Sequence, residues 1–324
     1  MQGLYFGSWV HSTGLIWDAY VLQSKMTTST DVFPVFMKSL CTTYGQKGYE
    51  KTAHGGTLNP PREILSSWQV DEPVRSVPDA GLINDTFVVG SPPTGILQRV
   101  NPIFDPAIHK DIEAITEHIE NAGMLTPRLV QTSSGELCVP TKDGAWRMLT
   151  FIPGTTIHTI TDPEQAENAG ALVGRFHRAV ADLNHEFHFL RPGAHDTLKH
   201  MRTLRKTMDT CASHSLLPQA QSLADEILSR WEAWDGMLEL PLRICHSDLK
   251  ISNIRFADDR KTALCLLDLD TLSPQTIPVE MGDAWRSWCN PAGEDEPEKA
   301  EFDLDIFEIS AKAWLQAGPE LTAD

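Results

Sequence analysis

Nowhere in this sequence do lysine and arginine gather into a stripe. Only 27 of them face 44 aspartates and glutamates, which leaves a net charge of −17. A chain that neutralises nucleic-acid phosphates needs clustered basic side chains, so no nucleic-acid partner is expected. The C-x-x-C pair is missing too. Six cysteines (Cys41, Cys138, Cys211, Cys245, Cys265, Cys289) are scattered, and Cys245 and Cys265 lie in apolar runs. That pattern suits reduced, buried thiols in a cytosolic protein better than a disulfide framework or a zinc site. No run reaches the roughly 18 apolar residues of a membrane-spanning helix, so no membrane partner is expected. The first 25 residues carry Tyr5, Phe6, Trp9 and Trp17 without a basic segment ahead of them, which predicts no secretory signal and a cytoplasmic location.

At 324 residues, 41% of them hydrophobic, the chain can build one large or two ordinary domains. Its most informative stretch runs from Ile244 to Asp270, ICHSDLKISNIRFADDRKTALCLLDLD. His246-x-Asp248 is followed five residues later by Asn253, and the apolar run Ala263 to Leu267 delivers Asp268-Leu-Asp270. Phosphoryl transfer to an alcohol needs a group to take the hydroxyl proton and hard oxygen ligands for the cations that bridge the phosphates. Asp248 is the expected proton acceptor, Asn253 and Asp268 the expected Mg²⁺ ligands, and His246 the expected brace of the loop backbone. Under a two-residue strand period, Asp268 and Asp270 would face the same side. The competing reading is a surface turn followed by a buried strand with ordinary acidic caps.

Upstream, residues 1–58 show no period and read as a poorly specified extension. Order is expected from Asn59-Pro60-Pro61, where Ile64, Leu65 and Trp68 give the following helix an apolar face. Val70 to Val77, Ile83 to Val89 and Ile96 to Val100 read as strands, and Ala107 to Ala122 as a charged helix. This is the order of a nucleotide-covering lobe. Gly81 with Asn84, Asp85 and Thr86 would form the turn over the phosphates, and Arg99 would reach them from the third strand. Glu113 or Glu117 could pair with Arg99. Val130 to Val139 and Trp146 to Ile152 predict two further strands, and the backbone at Phe151 and Ile152 could meet an adenine edge. A plain hairpin would look the same.

Thr161-Asp162-Pro163-Glu164-Gln165 is a helix start: Asp162 caps, Pro163 fits the first turn and Gln165 reaches back. The buried face continues through Ala166, Ala169, Leu172, Val173, Phe176 and Val180. His177 beside it is read as structural. His185, His188, His195 and His200 lack the spacing of a compact metal site, and no cysteine or paired carboxylate completes the set, so they too are read as structural. Gln219 to Met237 predicts another helix. Gly282-Asp283 is expected to open one carrying Trp285, Arg286 and Trp288, with Asp283 either bonded to the loop backbone or serving as a cap. Residues 294–308 hold eight acids against Lys299 alone. They read as a solvated face, with attraction of a cationic substrate as the functional alternative.

Several pieces resemble, in order, the aminoglycoside phosphotransferase and choline kinase superfamily of protein-kinase-like small-molecule kinases. They are Gly81-Leu-Ile-Asn-Asp-Thr-Phe-Val-Val89, Leu97-Gln-Arg-Val-Asn101, Phe151-Ile-Pro-Gly154, His195-Asp-Thr197, the catalytic stretch with Leu267-Asp-Leu-Asp-Thr271, and Gly282-Asp283. The wording is most similar to the N-acetylhexosamine 1-kinases, over about residues 62–324. The resemblance implies an α+β, two-lobed protein-kinase-like fold. After the 1–58 extension would come a small β-rich N-lobe over 59–152 and a larger, mostly helical C-lobe over 153–324. It implies MgATP-dependent phosphorylation of the anomeric hydroxyl of an N-acetylhexosamine, with an amino sugar as the small-molecule partner. Asp248 is then the base, Asn253 and Asp268 hold Mg²⁺, and Arg99 stands where relatives place a lysine. Asp85, Asp196 and Arg286 match family positions near sugar or phosphates.

Two departures stand out: Asp79 where these sugar kinases tend to have glycine, and a chain stopping at Asp324 where relatives add helices. An aminoglycoside-, choline- or homoserine-type phosphotransferase, or a truncated nucleotide-binding relative, is the alternative. An ordinary protein kinase is disfavoured, because Asp268 to Glu280 leaves little room for an activation segment and no G-x-G-x-x-G precedes Arg99.

Overall fold

The structure, a computed structural model, describes residues 59–77, 83–191, 195–211, 213, 215, 217–233, 240–292 and 299–320. Gly81, Asp79, the 1–58 extension and the last four residues fall outside them. The architecture has two parts, as expected: a smaller strand-rich N-terminal region and a larger helical C-terminal one.

The N-terminal region begins with helix α1 (Arg62–Ser67) and strands β1 (Val74–Ser76), β2 (Asp85–Val89) and β3 (Gly95–Val100). Helix α2 (Ile108–Asn121) follows, then β4 (Leu129–Val130), β5 (Val139–Thr141) and β6 (Gly144–Thr150). The strands form one antiparallel sheet in the order β1-β2-β3-β6-β4, with β5 also on β6. The single strand expected over Val130 to Val139 is two short ones, because a turn through Thr132 to Gly135 breaks it, held by Gly135 N to the Thr132 carbonyl at 2.9 Å.

Strand alternation gives this sheet two faces. Phe87, Val89, Leu97, Trp146 and Met148 form one cluster with Ile64 of α1. Val100 and Leu129 join the other, larger core, which runs through α2 into the C-terminal region. Register pairs Asp85 with Arg99 and Phe87 with Leu97, so Arg99 lies on the α1 face. Gln98 pairs with Arg147, and both lie on the face turned to the C-terminal region.

That region opens with α3 (Pro163–Ala179), whose start is the expected capping box: Asp162 accepts from Glu164 N and Gln165 reaches back to the Asp162 amide. Then come α4 (Thr197–Thr210), α5 (Leu217–Ala233), β7 (Arg243–Cys245), a 3₁₀ turn (Ile251–Asn253), β8 (Ile254–Phe256) and β9 (Ala263–Leu266). A second 3₁₀ turn (Leu269–Thr271), β10 (Ser273–Gln275), α6 (Ile277–Trp288) and α7 (Leu304–Ala317) complete it. Helix α6 does not open at Gly282-Asp283. It starts at Ile277 with Pro278 in its first turn, where a missing N–H costs no bond.

Helices α3 and α7 press together through glycine. A Cβ added at Gly170 would stand 2.2 Å from the Ser310 carbonyl oxygen. Three buried tryptophans on α6 and α7 each find an acceptor: Trp285 on Ser310, Trp288 on the Leu249 carbonyl and Trp314 on His177. The second of these bonds, at 2.7 Å, ties the helical core to the loop that carries Asp248.

Candidate active site

Strand β7 delivers the chain to His246, after which the backbone must turn sharply; Ser247 takes a positive φ of 63°. What holds this turn is Glu280 in the first turn of α6. Its two oxygens accept the amides of His246 at 2.7 Å and Ser247 at 2.8 Å. His177 Nε2 also approaches Glu280, at 3.4 Å, while its Nδ1 accepts from Trp314 Nε1 at 2.9 Å. The indole therefore fixes the tautomer that presents an N–H to the carboxylate. Burial alone would raise the Glu280 carboxyl, but the bonds from His177 and His246 bring it below its ordinary value.

The loop-holding part that sequence reasoning offered to Asp283 thus falls to Glu280, one helical turn earlier. Asp283 instead accepts from Arg286 Nε at 3.1 Å, with its carboxyl raised by burial against that opposing cation. Arg286 is correspondingly turned to Asp283. Asp196 caps α4 by accepting from Lys199 N at 2.9 Å. Its neighbour His195 donates Nε2–H to the Ser247 carbonyl at 2.7 Å.

Within the loop, Asn253 Nδ2 donates to the Asp248 carbonyl at 2.8 Å and to Asp248 Oδ2 at 3.0 Å, and Lys250 Nζ reaches the same Oδ2 at 3.0 Å. The hairpin β8–β9 returns the chain to this loop. Leu267 N donates to the Asn253 carbonyl at 2.8 Å, and the Leu267 carbonyl accepts from His246 Nε2 at 2.7 Å. His246 therefore spans from the loop to the residue before Asp268. The structure brings Asp248, Asn253, Asp268 and His246 together on two adjoining turns.

Asp268 and Asp270 do not share a strand face. The strand ends at Leu266, and Asp268 takes a left-handed backbone (φ 59°) that heads the 3₁₀ turn. Its side chain meets solvent, yet the surrounding protein and the charges of Asp270 and Asp248 push its carboxyl up to about 6. Asp270 points inward and is buried. It receives Arg147 through both terminal nitrogens, one at 3.0 Å, and Asn84 Nδ2 at 2.8 Å. Burial would raise Asp270, but Arg147 outweighs it and its carboxyl lies below the ordinary value.

Arg147 is 2% exposed and also donates to Gln98 Oε1. It is the cation on the sheet face that meets Asp270. Arg99, expected to reach the phosphates, lies on the opposite face and donates Nε and Nη2 to Asp85 at 2.9 and 2.6 Å. Asp85 is thus spent on Arg99. Neither Glu113 nor Glu117 is seen with Arg99; Glu113 binds Arg128 at 3.1 Å. Thr86 faces the Asp270 side and accepts from Gln98 at 3.1 Å. Asn84 Oδ1 accepts from Asn101 N at 3.0 Å, so Asn84 links the start of β2, the end of β3 and Asp270. Beyond β6, the Ile152 carbonyl accepts from Arg255 Nε at 3.0 Å, and the Arg255 guanidinium lies 5.9 Å from the Phe151 ring.

A turn of acid, amide and histidine joined to a second turn of two acids, under a six-stranded sheet, can be compared with known proteins. Residues 75–313 match the model of the phosphotransferase enzyme family. The chain belongs to this family.

Among solved structures, the phosphotransferase is similar to an amicoumacin kinase described with AMP-PNP and Ca²⁺, at 15% identity over 77% of this chain and 73% of that one, with a TM-score of 0.55. A spectinomycin phosphotransferase with AMP gives 13% identity, 81% coverage of each chain and a TM-score of 0.52. An aminoglycoside phosphotransferase of Alicyclobacillus acidocaldarius gives 14%, 83% of each chain and 0.51. At these identities the likeness is one of fold. No helix among the described residues is long and apolar enough to cross a membrane.

Two residues of this phosphotransferase site escaped sequence reasoning, and each left a signal. Glu280 is an acid two residues after Pro278, in a segment otherwise apolar enough to be interior. Arg147 is a lone charge inside Ala145-Trp146-Arg147-Met148-Leu149, which needs a buried partner if the strand is central.

Proposed function

We propose that this phosphotransferase moves the γ-phosphoryl group of ATP to a hydroxyl of a small molecule, in the manner of the aminoglycoside and choline kinases. The observation that carries this reading is the convergence of Asp248, Asn253 and Asp268 on two turns whose backbones are bonded to each other. Asp248 accepts the acceptor's hydroxyl proton, since its Oδ2 is already oriented by Asn253 and Lys250.

The donor set fits a hard divalent cation. Asp268 offers a solvent-facing carboxylate whose charge the surrounding protein and the neighbouring acids Asp270 and Asp248 disfavour, and a cation relieves that field. Asn253 and Asp268 would hold Mg²⁺, which when bound neutralises charge building on the phosphate oxygens. Arg147 and Asn84 act from the sheet side. They fix Asp270 and thereby the turn on which Asp268 stands, while Thr86 and the Phe151-Ile152 segment border the space for the nucleotide.

The acceptor is an aminoglycoside-, choline- or homoserine-type alcohol in this reading. Support comes from the proteins of similar fold, an amicoumacin kinase, a spectinomycin phosphotransferase and an aminoglycoside phosphotransferase. The net charge of −17 also favours a cationic acceptor. An N-acetylhexosamine acceptor phosphorylated at its anomeric hydroxyl is the second reading, motivated by the Asn84-Asp85-Thr86 and Leu267-Asp268-Leu269-Asp270-Thr271 wording.

ADP release from MgATP, measured against kanamycin, choline, homoserine, N-acetylglucosamine and N-acetylgalactosamine, separates them. Turnover with one of the first three, abolished in Asp248→Asn, establishes the proposal. Turnover with hexosamines alone establishes the second reading. Turnover unchanged in Asp248→Asn removes Asp248 as the base.

A further inference from the structure

His185 and His188 lie three residues apart beyond α3, and neither the sequence nor the family match attaches a function to them. The sequence pairs them with no cysteine, but the fold brings them a carboxylate from far upstream. Asp111, in the first turn of α2, is 1% exposed and stands between the two rings. His185 Nε2 is 2.8 Å and His188 Nδ1 2.9 Å from the same oxygen, Asp111 Oδ1. We propose that Asp111, His185 and His188 form a site for one divalent transition metal of borderline softness, such as Zn²⁺, separate from the nucleotide site.

The geometry needs little change. The three candidate ligand atoms lie within 4.8 Å of one another. Around a tetrahedral ion with bonds of roughly 2.0–2.2 Å, neighbouring ligand atoms stand about 3.3 Å apart. Each ring now spends an N–H on a shared oxygen; to bind an ion each neutral ring carries its proton on its other nitrogen, His185 on Nδ1 and His188 on Nε2, and the ion is held by the two freed nitrogens and the carboxylate.

The support around the carboxylate is also in place. The amide of His188 donates to Oδ1 at 2.9 Å and that of Phe189 to Oδ2 at 3.0 Å, the kind of outer bonding that orients a ligating carboxylate. The His188 side chain is 45% exposed, which gives an ion a way in and leaves room for water as a fourth ligand. Two imidazoles and one carboxylate suit zinc, cobalt or nickel better than magnesium or calcium, which prefer oxygen alone.

The site would tether α2 to the segment that continues through Phe189, Leu190 and Arg191. Those three residues face Asp270, Thr271 and Ser273 across a cavity of about 160 Å³. An ion there would therefore fasten the helix of the sheet-bearing region to the wall beside the acidic turn, as a structural element with no part in the chemistry.

The test is a Co²⁺ titration of the full chain, stripped with chelator and kept in excess Mg²⁺ so that oxygen-donor sites are filled. One Co²⁺ per chain is expected to give the strong visible ligand-field band of a four- or five-coordinate site, bleached by Zn²⁺. His188→Ala, at the half-exposed ring, and His185→Gln should each lose it. Zn²⁺ should also raise the melting temperature of the unsubstituted chain and not that of His188→Ala. Absence of the band in the unsubstituted chain overturns the proposal. So does a band kept in both variants, which would place the ion elsewhere.

Discussion

The pair formed by Arg147 and Asp270 is the most exposed to a quantitative test, because it is almost wholly buried and joins the sheet to the acidic turn across 123 residues of chain. Arg147→Met leaves Asp270 with the Asn84 amide as its remaining named donor. Breaking a buried ion pair from one side strands a charge and costs about 3–5 kcal/mol. Asp270→Leu strands Arg147 in the same way and costs a similar amount. Removing both charges leaves Gln98 and Asn84 each short of a partner, and because both are only half-buried and can be reached by water the loss is roughly 1 kcal/mol apiece, about 2 kcal/mol together. The double variant should therefore be more stable than either single one, against an additive expectation of about 6–10 kcal/mol. Equilibrium urea unfolding of the four proteins gives all the terms. Additive losses, or single losses below about 1 kcal/mol, would refute the claim that this pair organises the turn.

Three further outcomes follow from other contacts. Burial first, and Arg147 second, lower His109 to about 4, so an unfolded chain with an ordinary value of 6.5 binds its proton earlier. Stability must then fall as pH drops between those values, by about 2 kcal/mol from roughly pH 7 to pH 5; melts of His109→Asn should lack that part of the slope, and parallel curves would contradict it. Gly170→Ala, whose Cβ meets the Ser310 carbonyl, should cost about 1–3 kcal/mol as α3 and α7 are forced apart, and an unchanged melting temperature would show that the helices can yield. Asp248→Asn should lower kcat by about 10²–10⁴ with little change in KM for ATP, a split that steady-state kinetics reads directly and that a general loss of folding would not produce.

What could be read in the sequence was local chemistry. The Asp162-Pro163-Glu164-Gln165 start, the helix through Phe176, and the loop from His246 to Asn253 each signal themselves within a few residues, by capping or by spacing. What could not be read was which face a side chain takes when both faces of a strand are covered. Gly95 to Val100 is buried or half-buried throughout, so alternation gives no hint that Gln98, not Arg99, takes the face on which Arg147 meets Asp270. Partners far apart in the chain were equally hidden. Glu280 holds a loop 33 and 34 residues upstream, and Asp111 meets its histidines 74 and 77 residues downstream. The start of α6 was hidden in a different way: Pro278 sits in its first turn, where a missing N–H costs no bond, so the helix begins at Ile277 ahead of Gly282-Asp283.

The two acids of Leu267-Asp268-Leu269-Asp270 show how one backbone dihedral separates tasks that composition makes look alike. A continued strand would turn both carboxylates to one side and set two charges against each other. The left-handed residue at Asp268 ends the strand instead. One carboxylate is left facing solvent, with its acidity weakened to about 6, and the other is sunk onto Arg147 with its acidity strengthened. The same dihedral also decides how the exposed acid should be probed. Asparagine tolerates φ near 59°, whereas valine does not. Asp268→Asn removes the charge and keeps the turn; its expected effect is a raised Mg²⁺ requirement in an otherwise folded enzyme. Asp268→Val would strain the turn, carry Asp270 with it, and confuse loss of a ligand with loss of the fold.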